Sequence, residues 1–568
     1  MPEEKHVSRI GVFICSCGTN IAGFVDVVSV TEYAKGLPGV VFAQNNLYSC
    51  SESGTQSIKD AIKEYNLNRV VVASCTPRTH EPTFRAACEE AGLNPFLFEF
   101  VNIREHCSWV HMHEKDRATE KSKELVRMGV ARASLLEPGE MIEVEVARSA
   151  LVIGGGISGI TAATALAEMG INVVLVEKEK ELGGLIRALF KLYPVDELAS
   201  EFLKKNINKL RKQKNADILT SSEIVKIKGY IGNYSVSVKS GNKVKEYEFG
   251  TIILATGAAS YEPEKTTSKK TLFNYDGRNV ITQLQLEKKL SHSSEVSAIK
   301  SIVMIQCVGS RVPERIYCSK ICCMTAIKNA QIIKEKNNDA RVTILYRDLQ
   351  TYGVEYENEL RKAKQAGIRF IRYARDKPPV IDTKKKTVKV YHELLGIEIE
   401  QTYDFVVLST PLVSQPDSLK LSQALKVPID EHGFFLEAHV KLRPLEFATD
   451  GIYVCGCAHW PADITESISQ SLGAASKAAI PLICGKVSVE PVVSHVDETK
   501  CSGCGICEEN CPFGAIKKDS ETKKAKVTEV ICKGCGICAT NCPEEAITIQ
   551  HYKGNQFAAQ IEAAFKEE

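Results

Sequence analysis

One glycine-rich stretch, from Ala150 to Gly184, constrains the fold of this chain more than any other. Its text, ALVIGGGISGITAATALAEMGINVVLVEKEKELGG, reads as a buried strand, a glycine turn, a helix and a second strand. Gly154, Gly156 and Gly159 fill the three glycine positions of such a unit: the tight turn, the close approach of a phosphate, and the close packing of helix on strand. The stretch therefore predicts a parallel α/β domain that binds a dinucleotide.

Further positions favour FAD as that dinucleotide. Glu177 ends the second strand, where an acid can hold a ribose hydroxyl. The ELGG of residues 181–184 and the ATG of residues 255–257 match flavoproteins with two dinucleotide-binding domains, and Gly456 follows a predicted closing strand. The residue after Gly456 is usually an acid that contacts the ribityl chain, but here it is Cys457. The predicted FAD-binding residues are Gly154, Gly156, Ser158, Gly159, Glu177, Lys178, Gly183, Gly184, Thr256, Gly257 and Gly456.

The C-terminal region contains two copies of one cysteine motif. CSGCGICEENCP, from Cys501, and CKGCGICATNCP, from Cys532, both follow the C-x2-C-x2-C-x3-C-P pattern of bacterial ferredoxins with two [4Fe–4S] clusters. The fourth cysteine of each copy ligates the other cluster, and two complete copies disfavour zinc. The predicted ligands are Cys501, Cys504, Cys507 and Cys542 for one cluster, and Cys532, Cys535, Cys538 and Cys511 for the other.

Two more groups of cysteines lie outside these motifs. Four apolar segments in residues 8–112 predict a small parallel α/β domain, whose strand ends should meet at one edge. Five cysteines follow those strands: Cys15, Cys17, Cys50, Cys75 and Cys107. A central run, IQCVGSRVPERIYCSKICC, places Cys307 at the end of a strand and puts Cys318 and Cys322 four residues apart, where a helix would turn both to one face, with Cys323 beside them. Spacing alone allows a cube of iron and sulfur, a zinc ion or inert buried thiols for this central group.

The central run also stands where a second nucleotide-binding glycine turn is expected. The strand SIVMIQC is followed by CVGSR, which lacks the glycine spacing that cradles a phosphate. The sequence therefore predicts that the nicotinamide site has been replaced by the cysteine group.

A series of sequence motifs extends over nearly the whole chain. In order, they are CSCGTNIAG, VVVASCTPRTHEPTF, NIREHCSWVH, the glycine stretch, QCVGSR, YCSKICCMTAIK, CAHWP and the twin cysteine motifs. With these motifs the chain resembles the A-type subunits of heterodisulfide reductase, the iron–sulfur flavoproteins of flavin-based electron bifurcation. The resemblance implies a [4Fe–4S] cluster on the central quartet and another on four of the five N-terminal cysteines, without saying which one is spared. It also implies a flavin contact for Lys328, which spacing alone would place on a solvated helix face. The remaining cysteines are expected to be ordinary buried thiols: Cys88, Cys455, Cys457 and Cys484.

The predicted architecture is an α/β multidomain protein with a thioredoxin-reductase-like flavoprotein core. The predicted domains are an N-terminal α/β iron–sulfur domain (1–140), an FAD domain (141–262 and 433–488), a nicotinamide-domain-like insert carrying a cluster (263–432) and a 2[4Fe–4S] ferredoxin domain (489–568). Longer members of the family insert a second ferredoxin domain near residues 229–234, where this chain continues into a predicted hairpin. One FAD and four [4Fe–4S] clusters are therefore expected, instead of six clusters.

Composition and charge limit the class of protein and the compartment that are expected. The 568 residues carry a formal charge of only +2, which gives no sign of a nucleic-acid surface. The start of the chain lacks a secretory signal and no stretch reads as a membrane span, so a cytoplasmic protein is expected. In a reducing compartment, 21 cysteines indicate metal or redox chemistry instead of disulfides.

The functional hypothesis is an oxidoreductase subunit in which a two-electron donor feeds the FAD. One electron then goes uphill to ferredoxin and the other goes to a disulfide-type acceptor on partner subunits. The resemblance implies B- and C-type subunits, a hydrogenase, formate dehydrogenase or NADH-linked donor module, ferredoxin, and a homodimer within the complex. The alternatives are a non-bifurcating relay in a quinone- or sulfur-metabolism complex, and a redox-sensing or structural subunit. The donor, the acceptor and the direction of electron flow stay open.

Overall fold

The computed structural model describes residues 8–194, 196–264, 272–292 and 296–566. Two compact units divide this part of the chain: one contains the residues up to Val144 together with those from Ser488 onward, and the other runs from Glu145 to Val487. The residues outside this description include 1–7 and 567–568, at the two ends of the predicted domain series, and 265–271 and 293–295, in the predicted insert. None of the described helices is long and apolar enough to span a membrane.

The first unit opens with a four-stranded parallel sheet, as the sequence predicts. Its strands, in the spatial order second, first, third, fourth, are Ile10–Cys15, Val40–Asn46, Arg69–Ser74 and Phe98–Asn102. The helices of this part are Val27–Lys35, Glu52–Glu64, Pro77–Glu90 and Lys115–Ala133. Because all four strands are parallel, their carboxyl ends share one edge.

The C-terminal part of this unit is built from short elements around the twin cysteine motifs. Its strand pairs are Ser494–Val496 with Ile547–Ile549 and Ile516–Lys518 with Ala525–Val527, and its helices are Ile506–Asn510, Ile537–Thr540 and Gly554–Ala564. Arg132 joins the two parts of the unit: it pairs with the buried carboxylate of Glu99, donates to the carbonyl of His551 at 2.6 Å and lies 4.6 Å from the centre of the Tyr552 ring. The N-terminal and ferredoxin-like parts are therefore in direct contact within one unit, while their hydrophobic cores are separate clusters.

The second unit contains the predicted dinucleotide domain. Its parallel sheet has the order Ile452–Val454, Thr251–Leu254, Ser149–Ile153, Asn172–Val176 and Ala216–Leu219, with helices Ile157–Glu168, Ala199–Arg211 and Ile464–Cys484. The strands Asn233–Ser240 and Lys243–Phe249 form the predicted hairpin that leads into Thr251–Leu254. The predicted closing strand, before Gly456, joins the same sheet.

The hairpin region at residues 229–234 is continuous. Strands Ser222–Tyr230 and Asn233–Ser240 are antiparallel neighbours, and only Ile231 and Gly232 separate them. Gly232 has a φ of 91°, which suits glycine in so tight a turn. The prediction that the chain runs straight on at residues 229–234 is confirmed.

A second parallel sheet follows in the same unit. Its order is Val280–Thr282, Phe405–Leu408, Ser301–Ile305, Arg341–Tyr346 and Arg369–Arg372; its helices are Gln283–Leu290, Ile321–Lys336 and Val354–Gln365, with Ser418–Leu425 further along. The smaller strands are Val380–Asp382, Thr387–His392 and Ile397–Thr402 in one antiparallel sheet, and Ala258–Ser260 paired with Leu412–Ser414. A loop of residues 306–320 separates strand Ser301–Ile305 from helix Ile321–Lys336, where a nucleotide-binding domain has a short glycine turn.

That loop corrects one expectation. The helix begins at Ile321, so Cys318 precedes it and does not share a helix face with Cys322. The reason lies at Lys320, whose φ of 60° is incompatible with continuing a right-handed helix toward the N-terminus.

Candidate flavin and iron–sulfur sites

The glycine turn of the dinucleotide domain is set by close packing. Gly154 has a φ of 109°, and a Cβ there would lie 2.4 Å from the carbonyl oxygen of Ala255. A Cβ on Gly159 would lie 1.8 Å from the carbonyl oxygen of Gly154, so helix and strand touch at this glycine. A Cβ on Gly156 would meet nothing within 4 Å, and no side chain caps the helix that begins at Ile157. This open helix start is the place where a phosphate can approach the backbone.

Residues from distant segments border the same turn. A Cβ on Gly184 would lie 3.3 Å from the Cα of Gly156, and the Gly183 N–H donates to Gly155 at 2.8 Å. A Cβ on Gly456 would lie 2.0 Å from the Oγ of Ser158. The structure thus brings the ELGG segment and the Gly456 turn against the glycine turn, as an extended dinucleotide needs.

An unpartnered polar atom supports the fit of a cofactor here. The hydroxyl of Thr256, next to the residue that contacts Gly154, is buried and has no hydrogen-bond partner among the described residues. An unpaired buried hydroxyl costs about 1–3 kcal/mol, which a bound group removes. Gly257, which follows it, has a φ of 69° and open space around its Cα.

Glu177, Lys178 and Cys457 differ in their exposure and in their hydrogen-bond partners. Glu177 is buried and accepts hydrogen bonds from the N–H groups of Gly155 at 2.6 Å and Glu179 at 2.8 Å, so its carboxylate is held on the glycine turn with further lone pairs to spare. Lys178 is exposed and its amine lies 3.2 Å from Asp417. Cys457 donates to the carbonyl of Ala462 in its own loop at 3.2 Å.

Two cavities in the ferredoxin-like part divide the eight cysteines in the way that the motif spacing predicts. Cys501, Cys504, Cys507 and Cys542 line one cavity, and Cys511, Cys532, Cys535 and Cys538 line the other. Backbone N–H groups of Ala515 and Ala546 donate to Cys511 and Cys542 at 3.3 and 3.4 Å. Such N–H···S bonds stabilise thiolate ligands and tune cluster potentials.

The four central thiols act on one another electrostatically. Burial raises the pKa of Cys323 to about 12, and repulsion from Cys307 and Cys318 contributes to it. Burial also raises the pKa of Cys322 well above its usual value, with Cys323, Cys318 and Cys307 adding to the shift. Neighbouring thiols whose pKa values are raised in this way, as at Cys322 and Cys323, ionise when a cation compensates their charge, which is the environment of a metal centre.

The backbone around this quartet is strained. Cys307, Arg311 and Lys320 all have φ between 56° and 60°, a region that residues with a Cβ rarely adopt. Each such residue costs of order 1–3 kcal/mol, and this strain is concentrated at functional sites. The Lys320 N–H donates to Cys318 at 3.3 Å, while its amine lies 2.7 Å from Glu466.

Lys328 is not a solvated helix lysine. Only 7% of the residue is exposed, and its amine pairs with Glu287 and donates to the carbonyl of Lys191 at 2.7 Å. Burial lowers the pKa of Lys328 and the carboxylate of Glu287 opposes that shift. An ammonium has three N–H donors, so these two bonds leave one donor.

The N-terminal cysteines separate into four and one. Burial raises the pKa of Cys50, with repulsion from Cys15 and Cys17 adding to it, and burial raises the pKa of Cys75, where Cys17 and Cys15 again contribute. Cys107 instead turns inward and donates to the carbonyl of Ala118 at 3.0 Å, with the Ser122 hydroxyl at 3.2 Å. The structure therefore groups Cys15, Cys17, Cys50 and Cys75 and leaves Cys107 apart.

The four other cysteines differ from the expectation of burial at two positions, Cys457 and Cys484. Cys88 and Cys455 are buried, and burial raises the pKa of each to about 12, while Cys457 is partly exposed. Cys484 is exposed, so the expectation that it is buried is wrong. It is the last residue of helix Ile464–Cys484 and follows Leu482, which is the buried residue of that final turn.

Within the described residues, no three or more His, Cys, Asp or Glu side chains are arranged around the position of a single metal ion. A [4Fe–4S] cube distributes its four cysteines over four irons and therefore needs a wider arrangement.

Two functional candidates had no signal that spacing rules could detect. Glu287 pairs with Lys328 from a helix that precedes it by 41 residues. Arg104 donates to the Sγ of Cys17 at 3.8 Å across 87 residues of sequence. The sequence motif NIREHC contains Arg104, but as a motif it indicated Cys107 and not the arginine.

Comparison with known proteins agrees with this arrangement. Residues 148–471 match the family described as pyridine nucleotide-disulphide oxidoreductase, and residues 494–517 match the 4Fe-4S binding domain. The chain is 41% identical to the second A-type iron–sulfur subunit of CoB–CoM heterodisulfide reductase from Methanopyrus kandleri, covering 100% of both chains. It is 40% identical to the A-type subunit of the H2:CoB-CoM heterodisulfide,ferredoxin reductase of Methanothermobacter marburgensis, covering 100% of this chain and 99% of that one. Among solved structures it is similar to a thioredoxin reductase of T. acidophilum, with 20% identity, 60% of this chain and 99% of that chain covered, and a TM-score of 0.41.

Both heterodisulfide reductase relatives are longer than this chain. The alignments span 663 and 665 positions, against 568 residues here. Segments present in the relatives are therefore absent from this chain, in line with the short hairpin at Ile231 and Gly232.

Two glycine substitutions should separate folding from FAD binding. Gly159→Ala puts a Cβ onto the Gly154 carbonyl and should lower the free energy of unfolding by about 1–3 kcal/mol. Gly156→Ala adds its Cβ in open space, so the FAD-free protein should unfold at the parent temperature while FAD affinity falls at least about tenfold. Thermal unfolding and fluorescence titration measure the two effects. Normal FAD affinity in Gly156→Ala would contradict the assignment of this turn to the pyrophosphate.

Anaerobic iron analysis should distinguish the N-terminal cysteines. We expect about sixteen irons and one FAD per chain, because each cube holds four irons. Cys17→Ala should lower the content to about twelve irons, and Cys107→Ala should leave it unchanged. A parent content of about eight irons would contradict both the central and the N-terminal clusters, and iron loss in Cys107→Ala alone would contradict the grouping of the other four cysteines.

Proposed function

We propose, from the premise that this chain belongs to the family of A-type subunits of heterodisulfide reductase, that it divides electron pairs between two acceptors through its flavin. Membership itself gives the coarser function: an oxidoreductase subunit that transfers electrons through a flavin-type cofactor and 4Fe–4S clusters. The finer steps below are the proposal.

The observation that carries the proposal is the cysteine group after strand Ser301–Ile305. A nicotinamide domain needs a glycine turn and a helix start at this position to hold the dinucleotide phosphates. Here a loop of residues 306–320 precedes the helix, and the second helical residue is Cys322. A helix N-terminus favours a thiolate at such a position. We infer that electrons enter and leave the flavin through iron–sulfur clusters instead of a bound nicotinamide.

The chemistry of the two cofactor types suits this division. FAD, when bound, supplies a centre that exchanges electrons in pairs or singly, whereas each cluster carries one electron. The name of the Methanothermobacter marburgensis relative includes H2, the CoB-CoM heterodisulfide and ferredoxin. This supports an equivalent role here: pairs of electrons from a donor module are divided between ferredoxin and a disulfide-type acceptor.

The chain's own residues would hold the FAD as follows. The helix start at Gly156 and Ser158 faces the pyrophosphate, and the spare lone pairs of Glu177 accept from a ribose hydroxyl. The unpartnered hydroxyl of Thr256 gains a hydrogen bond. The remaining N–H of Lys328 donates to the flavin, and its positive charge stabilises negative charge on the reduced ring.

Four clusters complete the proposed electron path. Three lie in the first unit, on the two ferredoxin groups and on the N-terminal quartet of Cys15, Cys17, Cys50 and Cys75. The fourth is held in the second unit by Cys307, Cys318, Cys322 and Cys323. The thiol chemistry of the disulfide acceptor belongs to another protein of the complex, because the sequence shows no catalytic site for it here.

The proposed partners follow the same reasoning. An A-type subunit assembles with B- and C-type subunits, a two-electron donor module and ferredoxin, and pairs with a second copy of itself in a cytoplasmic complex. Purification of the native complex and identification of its co-purifying proteins tests this assembly, and a chain that purifies free of any redox partner would contradict it.

The isolated chain should not oxidise NADH or NADPH. The CVGSR segment and the strained loop stand where the second phosphate turn would be. Anaerobic mixing with either nucleotide should leave the flavin absorbance unchanged, whereas dithionite should bleach it. Rapid bleaching by NADH or NADPH without partner subunits would overturn the proposal that clusters have replaced the nicotinamide.

Lys328 should be essential for coupling the two acceptor reductions. Lys328→Met alone leaves the Glu287 carboxylate buried without its partner, which costs about 3–5 kcal/mol, so the informative variant is Lys328→Met with Glu287→Gln. This double variant should keep FAD and all clusters but lose the reduction of ferredoxin that accompanies acceptor reduction in the assembled complex.

Glu287→Gln alone is the control for the second substitution, because its amide oxygen can still accept a hydrogen bond from the Lys328 amine. It also breaks the buried charge pair, so its free energy of unfolding should fall by up to about 3–5 kcal/mol and is measured alongside. It should retain FAD and coupling better than the double variant. Normal coupling in the double variant would show that Lys328 is a structural residue only.

A further inference from the structure

A five-residue turn, Arg104–Ser108, follows the fourth strand of the N-terminal sheet. It is a π-helical turn, in which the N–H of Ser108 donates to Ile103 at 3.1 Å and that of Trp109 to Arg104 at 2.9 Å. The side chain of Asn102 fixes its start, because the Oδ1 atom accepts from the N–H groups of Arg104 and Glu105 at 3.1 and 3.0 Å. Single π-helical turns occur frequently at functional sites.

This turn decides which side chain reaches the N-terminal cysteines. It directs Cys107 inward, to Ala118 and Ser122, and directs Arg104 to Cys17. The Nη1 of Arg104 lies 3.8 Å from the Sγ of Cys17. The guanidinium therefore lies beside a sulfur that the proposed function assigns to a cluster.

The guanidinium is itself held in place. Its Nη2 lies 2.8 Å from the carboxylate of Glu105, and its central carbon lies 4.7 Å from the centre of the Trp109 ring. Its Nε is buried and has no hydrogen-bond partner among the described residues. A buried donor without an acceptor is costly, and the sulfur atoms of a cluster are acceptors.

We propose that Arg104 sets the redox potential of the N-terminal cluster, with Glu105 as the opposing charge. The inference rests on the proposed function, since it requires a cluster on Cys15, Cys17, Cys50 and Cys75. Reduction adds one electron, and so one negative charge, to the cluster and breaks no bond. A positive guanidinium beside a ligand sulfur stabilises the reduced form and raises the potential, and the carboxylate of Glu105 moderates that effect.

Substitutions of the two charges should move the potential in opposite directions. Arg104→Gln should shift the ratio of reduced to oxidised cluster about tenfold toward the oxidised form at a fixed potential, which is about 59 mV for one electron. Glu105→Gln should shift it toward the reduced form. Arg104→Lys keeps the charge without the planar fork and should lie between the parent and Arg104→Gln.

The measurement is an anaerobic redox titration of the full chain with FAD bound, using dithionite as the reductant and electron paramagnetic resonance as the readout. The signal of the N-terminal cluster is the one that Cys17→Ala removes together with about four irons. Arg9→Gln, an exposed residue that precedes the first strand at the opposite, amino-terminal edge of the sheet, is the charge-matched control and should leave the potential unchanged.

The outcomes separate the two proposals. If Cys17→Ala removes neither iron nor signal, the N-terminal cluster and that part of the proposed function are wrong. If the cluster is present but Arg104→Gln and Glu105→Gln leave its potential unchanged or move it in the same direction, the role of Arg104 is wrong. If Arg104→Gln loses the cluster altogether, Glu105→Gln and Arg104→Lys decide by the sign of their shifts.

Discussion

The burial of closely spaced thiols in the central quartet is the constraint on which the rest of the structure depends. Cys322 and Cys323 are adjacent in sequence and both pKa values are raised, by burial first and by neighbouring cysteines second. Thiols with raised pKa values ionise when a cation compensates their charge, so metal binding at such a group would be coupled to local folding. The backbone of Cys307 and of Lys320, each with a φ of 60°, belongs to the same loop.

Each cysteine group receives a different set of hydrogen-bond donors. Backbone N–H groups of Ala515 and Ala546, each four residues after a cysteine, donate to the ferredoxin-like groups in equivalent ways, and Ser494 adds contacts to Cys532 and Cys538 in one of these groups. The central quartet receives the N–H of Lys320, and the N-terminal quartet receives the guanidinium of Arg104 together with the N–H of Ser49. Because donors and local charge set cluster potentials, equivalent surroundings give similar potentials and different surroundings separate them.

The sequence predicts those parts of the protein that short-range rules control. Fixed spacings in the sequence predict the turn at Gly154 and Gly156. They also predict that Cys511 and Cys542 cross between the two ferredoxin-like groups. The prediction that Cys318 shares a helix face with Cys322 is wrong, because the cysteine spacing does not reveal that Lys320 adopts a positive φ. The features that the sequence does not predict depend mostly on partners that are distant in the chain. Cys107 faces inward because the turn after Asn102 is π-helical, and Lys328 is buried beside Glu287, which belongs to another helix. In both cases the deciding contact joins segments whose pairing is a property of the tertiary fold and not of either segment.

The two-residue turn at Ile231 and Gly232 has a consequence for how this family varies in length. The strands that it joins are antiparallel neighbours, so the two cut ends would lie about 5 Å apart. A module whose own termini are close together can be spliced in or removed at such a point without altering the register of the sheet, since loop length adds little entropic cost. The hairpin is thus a point at which a module with closely spaced termini can be added or removed while the flavoprotein scaffold stays the same.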